Sequence, residues 1–361
     1  MTKKIIFSTG GTGGHILPAI NLMKHFFDNG YQVLLITDVR GNKFLKNYSQ
    51  FRTHILKTDT PTNKNIFKKI FSFFTIFYSI INSIIILKKE KPNLIFGFGG
   101  YVSFPISFAS KFFNVPLIIY ENNMVLGRTN KYLSFFSKKI LVAKKITYDF
   151  PEKYKNKTYQ VGSILDKKII NYSFSKQNSD KKNFSILVLG GSQGAKIFGT
   201  IIPSVIKMIK EKGHAIEINQ QCIGSQKEFI KDFYEKNNIK NHVFEFETSI
   251  VKLISSSDLA ITRCGASTTA ELVHTMTPFI AIPLPHSIDN HQYLNAKYYE
   301  DRGCCWLLEE NNFNTDNLFK LIMESIKDKN NLENIRKNMK KDYDTNVYNN
   351  VENAIKEFIH K

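Results

Sequence analysis

Short apolar runs alternate with longer amphipathic stretches over the first half of the chain. The runs are rich in β-branched residues, and the stretches between them have the spacing of amphipathic helices. The predicted strands are residues 4–8, 31–37, 94–98, 117–120 and 139–142, and the first predicted helix is 18–28. This alternation is typical of a parallel sheet wrapped by crossover helices.

A second series of the same kind follows a polar, turn-rich segment at residues 173–183. Its strands are predicted at 184–189, 215–219, 243–246, 259–262 and 279–283, with a helix at 196–212. Residues 315–361 predict two or three polar helices, the last of which we expect to cross back to the first series.

The length of 361 residues also exceeds what one hydrophobic core usually serves. We therefore predict an α/β protein with two Rossmann-like domains and a cleft between them. The N-terminal domain is residues 1–163, completed by a C-terminal helix at 344–361, and the C-terminal domain is residues 164–343.

The stretch from residue 70 to residue 87 is uncharged and approaches the ~20 residues that span a bilayer. Ser72, Thr75, Ser79 and Asn82 recur at helical spacing, which indicates a helix with one polar, solvent-facing stripe. A membrane span would also place the glycine clusters before and after it on opposite sides of the membrane. We therefore predict a buried crossover helix, with part of its Phe/Ile face and the lysines around it resting on an anionic bilayer. These lysines are Lys64, Lys68, Lys69, Lys88 and Lys89.

Three glycine clusters, at residues 10–14, 97–100 and 190–194, each follow a predicted strand and precede a predicted helix. Glycine lets the backbone approach a ligand, and the N-terminus of the next helix attracts anions. A single cluster of this kind as often only packs a helix on a strand, but three of them favour diphosphate binding.

Neither of the two common nucleotide-binding motifs fits these clusters. Ile197 replaces the Ser or Thr of a P-loop, and Ile16 replaces the third glycine of the dinucleotide fingerprint, so we interpret Asp38 as a turn residue.

Residues 263–271 (RCGASTTAE) again follow a strand and open a helix. Gly265, Ser267 and Thr268 offer donors for phosphate oxygens, and Glu271 can accept bonds from both hydroxyls of a ribose. Alternatively, Ser267 only caps the helix and Glu271 is solvated. A polar cluster further on suits sugar hydroxyls or forms a capped loop, and it consists of His286, Asp289, His291 and Gln292.

The net charge of +19 suggests a polyanionic partner, although a general bias toward lysine could supply much of it. No module with interleaved aromatic and basic residues supports binding of nucleic acid. The four cysteines have neither metal-binding nor disulfide spacing, which indicates reduced cytosolic thiols. The apolar run at residues 5–7 is too short for a signal peptide, so we expect the protein to remain in the cytoplasm.

Six segments taken in order resemble the MurG family of N-acetylglucosaminyltransferases. They are GGTGGH at 10–15, GFGGYVSFP at 97–105, YENN at 120–123, GGSQGA at 190–195, RCGASTTAE at 263–271 and HQYLNA at 291–296. The resemblance implies a GT-B fold, in which two Rossmann-like domains with parallel sheets face each other across a cleft. It implies inverting transfer of GlcNAc from UDP-GlcNAc to undecaprenyl-pyrophosphoryl-MurNAc-pentapeptide for peptidoglycan synthesis. The implied location is peripheral, on the cytoplasmic face of the inner membrane, and no metal or other cofactor is implied.

Matching the family position by position assigns residues to each substrate. The donor contacts fall on Thr12, Gly13, Gly14, Asn123, Ser192, Ala266, Ser267, Thr268, Thr269, Ala270, Glu271 and Gln292. The acceptor diphosphate is expected at Gly10, Gly11, Gly97, Gly99 and Gly100.

The chain also departs from the family pattern. Asp166 stands where the family has an arginine facing the diphosphate, and Lys167 is an off-register substitute for it. Arg263 is a candidate cationic helper. Glu247 replaces an apolar residue near the uracil. Tyr120 and His291 replace a usual His and Gln, and we assign them no role.

His15 is the candidate general base, because inversion requires a base beside the attacking hydroxyl and imidazole accepts protons at neutral pH. Alternatively, His15 only hydrogen-bonds a phosphate. Two other functions stay open: a GT-B enzyme that acts on another membrane lipid, such as diacylglycerol, and a non-catalytic subunit that binds a nucleotide sugar.

Overall fold

The computed structural model of the chain forms two compact units. It describes residues 3–11, 13–45, 48–58, 66–145, 148, 150–172, 182–191, 194–247 and 250–359, without the side chains of 66–69. Unit 1 is Met1–Asp166 together with Asp344–Lys361, and unit 2 is Lys167–Tyr343. The sequence-based boundary between residues 163 and 164 lies three positions before the boundary between these units.

Unit 1 contains a seven-stranded sheet in which every neighbouring pair of strands is parallel. Its strands in chain order are β1 (Lys4–Ser8), β2 (Gln32–Thr37), β3 (Arg52–Ile55), β4 (Leu94–Gly97), β5 (Leu117–Glu121), β6 (Lys139–Val142) and β7 (Thr158–Gln160). The order across the sheet is β3-β2-β1-β4-β5-β6-β7. The order reverses between β2 and β4, with β1 at the centre, and ligands of open α/β sheets bind at such a switch point.

Helices separate these strands along the chain. They are α1 (Gly13–Asp28), α2 (Val39–Asn42), α3 (Ile66–Glu90), α4 (Ser103–Ala109) and α5 (Arg128–Leu133). The central strands are apolar on both faces because helices cover both faces of the sheet. Ile6 and Ile95 belong to an aliphatic cluster, whereas Phe7 stacks on Phe96 with 5.4 Å between the ring centroids.

Unit 2 contains a six-stranded parallel sheet of the same kind. Its strands are β8 (Phe184–Leu189), β9 (Ile216–Gln221), β10 (Lys240–Phe244), β11 (Leu259–Thr262), β12 (Phe279–Ala281) and β13 (Cys305–Leu307). The order across the sheet is β10-β9-β8-β11-β12-β13. Its helices are α6 (Lys167–Ile170), α7 (Lys196–Glu211), α8 (Lys227–Lys236), α9 (Ile250–Ser256), α10 (Ala266–His274), α11 (His291–Glu300), α12 (Thr315–Lys327) and α13 (Lys329–Asp342).

The last helix, α14 (Val347–Ile359), packs on unit 1. The hydroxyl of Tyr348 donates to the carbonyl of Leu165 at 2.7 Å, and Glu352 pairs with Nε2 of His25 on α1, also at 2.7 Å. The chain therefore leaves unit 1, forms all of unit 2 and then returns.

Three strands that the sequence did not predict are β3, β7 and β13, and each is the edge of its sheet. An edge strand pairs on one side only and is half-covered, so its residues lack a continuous apolar run. Helix α1 also begins at Gly13, earlier than the predicted start at residue 18.

The orientation of α3 corrects the sequence-based prediction. Ser72, Ser79 and Ser83 are buried, so the stripe that we expected to face solvent faces the protein. The hydroxyl of Ser79 donates to the carbonyl of Lys57, and the hydroxyl of Ser83 donates to the carbonyl of Ser79 at 2.7 Å. Small serines allow close packing and satisfy their hydroxyls on backbone carbonyls. The prediction of a buried helix was also wrong, because the apolar side of α3 is exposed.

Candidate functional site

Two glycine corners of unit 1 meet at the carboxyl ends of β1 and β4. A Cβ atom added to Gly100 would lie 3.0 Å from the carbonyl oxygen of Gly10, and one added to Gly10 would lie 2.8 Å from Cγ2 of Val102. Gly99 and Gly100 also have φ angles of +84° and +77°, which disfavour any other residue. The two loops predicted to face the acceptor diphosphate therefore lie in direct contact.

His15 lies at this junction. It is in the first turn of α1, and its ring packs on the second glycine corner, where a Cβ atom on Gly99 would lie 3.1 Å from Cε1 and 3.2 Å from Nδ1 of the histidine. The side chain is half-buried. The candidate base and the predicted acceptor loops thus occupy one end of one sheet.

A buried carboxylate that the sequence analysis did not single out organises the turn after β5. Oε1 of Glu121 accepts from the backbone N–H and side-chain amide of Asn123 at 3.0 and 2.9 Å. Oε2 accepts from the N–H of Gly127 and the amide of Asn130, both at 2.9 Å. The predicted donor contact Asn123 is therefore held in place by Glu121.

A second acidic side chain, Asp38, stands at the end of β2 beside the first glycine corner. Its Oδ1 accepts from the N–H of Gly41 at 2.7 Å and so caps α2. Burial favours the neutral carboxyl, but the Gly41 N–H and the guanidinium of Arg40 outweigh this effect and hold the pKa of Asp38 below its usual value. Asp38 is thus a helix-capping residue, as its interpretation as a turn residue implies.

In unit 2 the ends of β8 and β11 form a second pair of neighbouring corners. The N–H of Arg263 donates to the carbonyl of Leu189 at 3.1 Å, and a Cβ atom on Gly191 would lie 3.9 Å from Cβ of Arg263. The corners at 190–194 and 263–271 are therefore adjacent. Two of the predicted donor contacts, Thr12 in unit 1 and Ser192 in unit 2, lie outside the described residues.

Helix α10 begins at the second of these corners, directly after Gly265. The hydroxyl of Thr269 donates to the carbonyls of Gly265 and Ala266, both at 3.2 Å, and so bonds within the helix. Ala266 and Ala270 are buried, whereas Thr268 and Glu271 are half-buried. Thr268 and Glu271 are thus the more accessible polar side chains of this segment.

Gln292 joins the β11 corner to the loop after β12. Its Oε1 accepts from the N–H of Cys264 at 3.1 Å and from the N–H of Leu284 at 2.9 Å. Asn295, one turn further along α11, donates to the carbonyl of Cys264 at 3.0 Å. Gln292, predicted from the sequence as a donor contact, therefore also has a structural role in joining these two loops.

Arg263, the predicted cationic helper, is enclosed by the protein. Its guanidinium pairs with Glu310, donates to the carbonyls of Ile282 and Pro283 at 3.3 and 3.2 Å, and lies 4.9 Å from the ring centroid of Phe198. Lys167, the other candidate, is half-buried at the start of α6. Within the described residues no three His, Cys, Asp or Glu side chains are grouped as a metal site would require.

Comparisons with known proteins extend over almost the whole chain. Residues 5–142 match the glycosyltransferase family 28 N-terminal domain, and residues 185–351 match the family 28 C-terminal domain. The relatives include two proteins named UDP-N-acetylglucosamine--N-acetylmuramyl-(pentapeptide) pyrophosphoryl-undecaprenol N-acetylglucosamine transferase. The protein from Pelagibacter ubique is 36% identical over 97% of both chains, and that from Rickettsia canadensis is 38% identical over 94% of this chain and 95% of its own.

Solved structures show the same architecture. The crystal structure of Acinetobacter baumannii MurG has a TM-score of 0.78 at 24% identity and covers 98% of this chain and 99% of its own. The S. aureus MnaA-UDP co-structure has a TM-score of 0.70 at 13% identity and covers 99% and 97% of the two chains. The predicted GT-B fold is therefore confirmed. With both family domains and relatives of this identity along nearly its full length, the chain belongs to glycosyltransferase family 28.

Proposed function

We propose that the protein transfers GlcNAc from UDP-GlcNAc to undecaprenyl-pyrophosphoryl-MurNAc-pentapeptide, with inversion, as a step of peptidoglycan synthesis. The observation that carries this proposal is the 36–38% identity, over nearly the whole chain, to relatives that bear the name of this activity. The strand-end corners of each unit supply the backbone donors that phosphate groups require.

Unit 2 is proposed to hold the donor. Helix α10 presents its N-terminus beside the 190–194 corner, so backbone N–H groups and the helix dipole can stabilise the diphosphate as UDP leaves. Glu271, in the second turn, can accept hydrogen bonds from ribose hydroxyls. Because Arg263 is neutralised by Glu310, the donors proposed for the leaving group are those of the backbone and of Ser267 and Thr268.

Unit 1 is proposed to hold the acceptor, with His15 as the general base. A base must lie beside the attacking hydroxyl, and His15 lies where both glycine corners meet. The acceptor diphosphate on those corners would bring the sugar hydroxyl next to the imidazole. The proton would pass from that hydroxyl to the ring as the hydroxyl oxygen attacks the anomeric carbon and the bond to UDP breaks.

The test is release of UDP by the purified full-length protein. We expect release only when UDP-GlcNAc is combined with a polyprenyl-diphosphate-linked MurNAc-pentapeptide, and a disaccharide product by mass spectrometry. Release with diacylglycerol instead would indicate the alternative lipid acceptor. Binding of UDP-GlcNAc without transfer to either acceptor would indicate a non-catalytic subunit.

We also propose that the protein binds the cytoplasmic face of the inner membrane through the exposed side of α3. This apolar face is defined by Phe71, Phe73, Phe74, Phe77, Tyr78, Ile81 and Ile85. So many exposed large apolar side chains on one helix exceed what water-facing surfaces usually carry. Lys88 and Lys89 at its end are exposed and suit an anionic headgroup region. Lys64 lies outside the described residues, as do the side chains of Lys68 and Lys69.

Residues Ile70–Glu90 are also long and apolar enough to cross a membrane, with a mean hydropathy of 2.1. The contacts of α3 support a helix that lies on the bilayer. Its serine side is bonded to the backbone at Lys57, and Glu90 at its C-terminus pairs with Lys4 at 2.8 Å and with Arg52 at 2.8 Å. A spanning helix would have to break these contacts and bury its serines in lipid.

Flotation with vesicles tests this membrane proposal. The protein should float with phosphatidylglycerol-containing vesicles. In the double variant Phe74→Asp/Phe77→Asp the fraction of protein bound to vesicles should fall at least about tenfold, because binding would place two carboxylates in the membrane interface. Phe229→Asp in unit 2 is the matched control, since Phe229 is also an exposed phenylalanine on a helix. Equal loss in both variants, or flotation unchanged in the double variant, would contradict the proposal.

A further inference from the structure

An arginine lies on the first glycine corner of unit 1. Asp38 and Arg40 flank the start of α2, and Oδ2 of Asp38 accepts from Nε of Arg40 at 3.1 Å and from Nη2 at 2.8 Å. Oδ1 of the same carboxylate accepts from the N–H of Gly11 at 3.4 Å. One carboxylate therefore holds both the guanidinium and the backbone of the glycine corner.

The guanidinium lies against the open side of that corner. A Cβ atom added to Gly11 would lie 3.7 Å from Nη2 of Arg40, and one added to Gly10 would lie 3.3 Å from Oδ2 of Asp38. Gly11 has a φ of +82°, so the corner stays free of a side chain. The space in front of the guanidinium is thus bordered by glycine backbone.

Asp38 engages one edge of the guanidinium and leaves the other edge, with Nη1, for a ligand. The Arg40 side chain is 69% exposed, whereas that of Asp38 is 12% exposed. An exposed ion pair between residues two positions apart adds little stability. A planar guanidinium fixed on one edge is, however, well suited to bind phosphate oxygens with the other.

We infer that Arg40 binds the diphosphate of the acceptor and supplies the positive charge that the sequence lacks at Asp166. This inference rests on the proposed function. Asp38 acts as a positioning residue: it fixes the guanidinium and the N–H of Gly11 relative to each other. The acceptor chemistry that this site recognises is a polyprenyl-linked diphosphate, whose oxygens bridge the guanidinium and the glycine backbone.

The test compares Arg40→Gln with Arg52→Gln in the full-length protein. Arg52 is the matched control, because it is 62% exposed and pairs with a carboxylate, Glu90, at the opposite end of the sheet. With a polyprenyl-diphosphate-linked MurNAc-pentapeptide, Arg40→Gln should raise the acceptor KM roughly tenfold, as expected for loss of one charge-assisted contact. The KM for UDP-GlcNAc should change by less than about twofold, and Arg52→Gln should change neither.

Two further measurements separate ligand binding from a structural role. Arg40→Lys keeps the charge but loses the planar fork, so its acceptor KM should lie between those of the wild type and Arg40→Gln. A monophosphate-linked acceptor offers fewer oxygens, so the effect of Arg40→Gln should be smaller with it.

An acceptor KM that is unchanged in Arg40→Gln would overturn the inference. It would also be overturned if Arg40→Gln raised the KM values for both acceptors and for UDP-GlcNAc by the same factor. Wild-type protein that transfers GlcNAc to neither acceptor would instead refute the proposed function.

Discussion

The strand-end corners of the two units are held by different kinds of side chain. In unit 1 two carboxylates, Asp38 and Glu121, accept hydrogen bonds from the backbone of the turns around the glycine corners. In unit 2 two amide side chains hold the corner: Oε1 of Gln292 accepts from two backbone N–H groups, and the amide of Asn295 donates to a backbone carbonyl. The one arginine of the unit 2 corner, Arg263, is neutralised within the protein.

This difference shows that a charged residue inside a recognisable motif need not be the one that meets the ligand. Arg263 stands in the densest motif of the sequence, yet its guanidinium is enclosed by Glu310, two carbonyls and Phe198. Arg40 stands outside every motif, yet its guanidinium is exposed beside a glycine corner. Unit 1 thus offers a side-chain cation, whereas the corner of unit 2 offers mainly backbone dipoles.

Replacement of His15, which lies at the glycine corners of unit 1, should have the largest effect on activity. His15→Ala should lower kcat by about 10³, within the usual contribution of a general base, while the affinity for UDP-GlcNAc stays unchanged. Stopped assays of transfer and calorimetric titration of UDP-GlcNAc measure the two quantities. His15→Gln retains hydrogen bonding without basicity, so near-wild-type turnover in that variant would assign His15 to phosphate binding alone.

Replacement of Glu121 should destabilise unit 1 selectively. Glu121→Ala leaves four donors without their acceptor, at a cost of about 3 kcal/mol in the free energy of unfolding. The single tryptophan of the chain is Trp306, in unit 2, so its fluorescence reports that unit. In urea, circular dichroism should therefore show an earlier transition while the tryptophan transition stays in place. A joint shift of both signals would show that the units unfold together.

Replacement of Arg263 should shift the unfolding transition that is followed by Trp306 fluorescence. Arg263→Met leaves the Glu310 carboxylate without its partner and should destabilise unit 2 by about 2 kcal/mol, so the Trp306 transition moves. Arg263→Met/Glu310→Gln should recover part of this stability.

The activity of this folded double variant then decides the role of Arg263. Near-wild-type kcat would assign Arg263 to structure, whereas loss of activity in a stable protein would restore it as a ligand-binding cation.

The smallest expected effect is a pH dependence of unit 2. Burial lowers the pKa of His274 below its ordinary 6.5, although its hydrogen bond to the carbonyl of Ile170 opposes the shift. As the pH falls below 6.5, the His274 imidazole therefore takes up a proton in the unfolded chain before it does so in the folded protein. The free energy of unfolding decreases over this pH range until the folded-state pKa of His274 is reached. The Trp306 transition should move to lower urea between pH 7.5 and pH 5.5, and His274→Gln should move less. An equal pH response in both proteins would exclude His274 as the cause.

The sequence predicted the central strands of both sheets because most of them are short apolar runs, and β1, β4 and β8 lead directly into glycine corners. It also identified the corners themselves, since a strand, a glycine cluster and a helix start are neighbours in the chain. It did not reveal three of the four edge strands, β3, β7 and β13, whose burial depends on one partner only.

The remaining site features depend on residues that are brought together by folding. The bond of Asp38 to Gly11 and that of Gln292 to Leu284 each join separate loops, and no local pattern marks them. The predicted orientation of α3 was wrong for a related reason. Hydropathy identifies a helix with two unlike sides, but which side packs on the protein depends on the neighbouring surface, here the backbone carbonyl of Lys57.

The return of the chain to unit 1 has a consequence for synthesis on the ribosome. Because α14 follows all of unit 2 in the chain, unit 1 cannot complete its own structure until the whole of unit 2 has been translated. Unit 2 has every strand it needs before that moment. In a nascent chain unit 2 can therefore be complete while unit 1 still lacks the helix that covers His25. Loss of α14 would consequently damage unit 1 before unit 2.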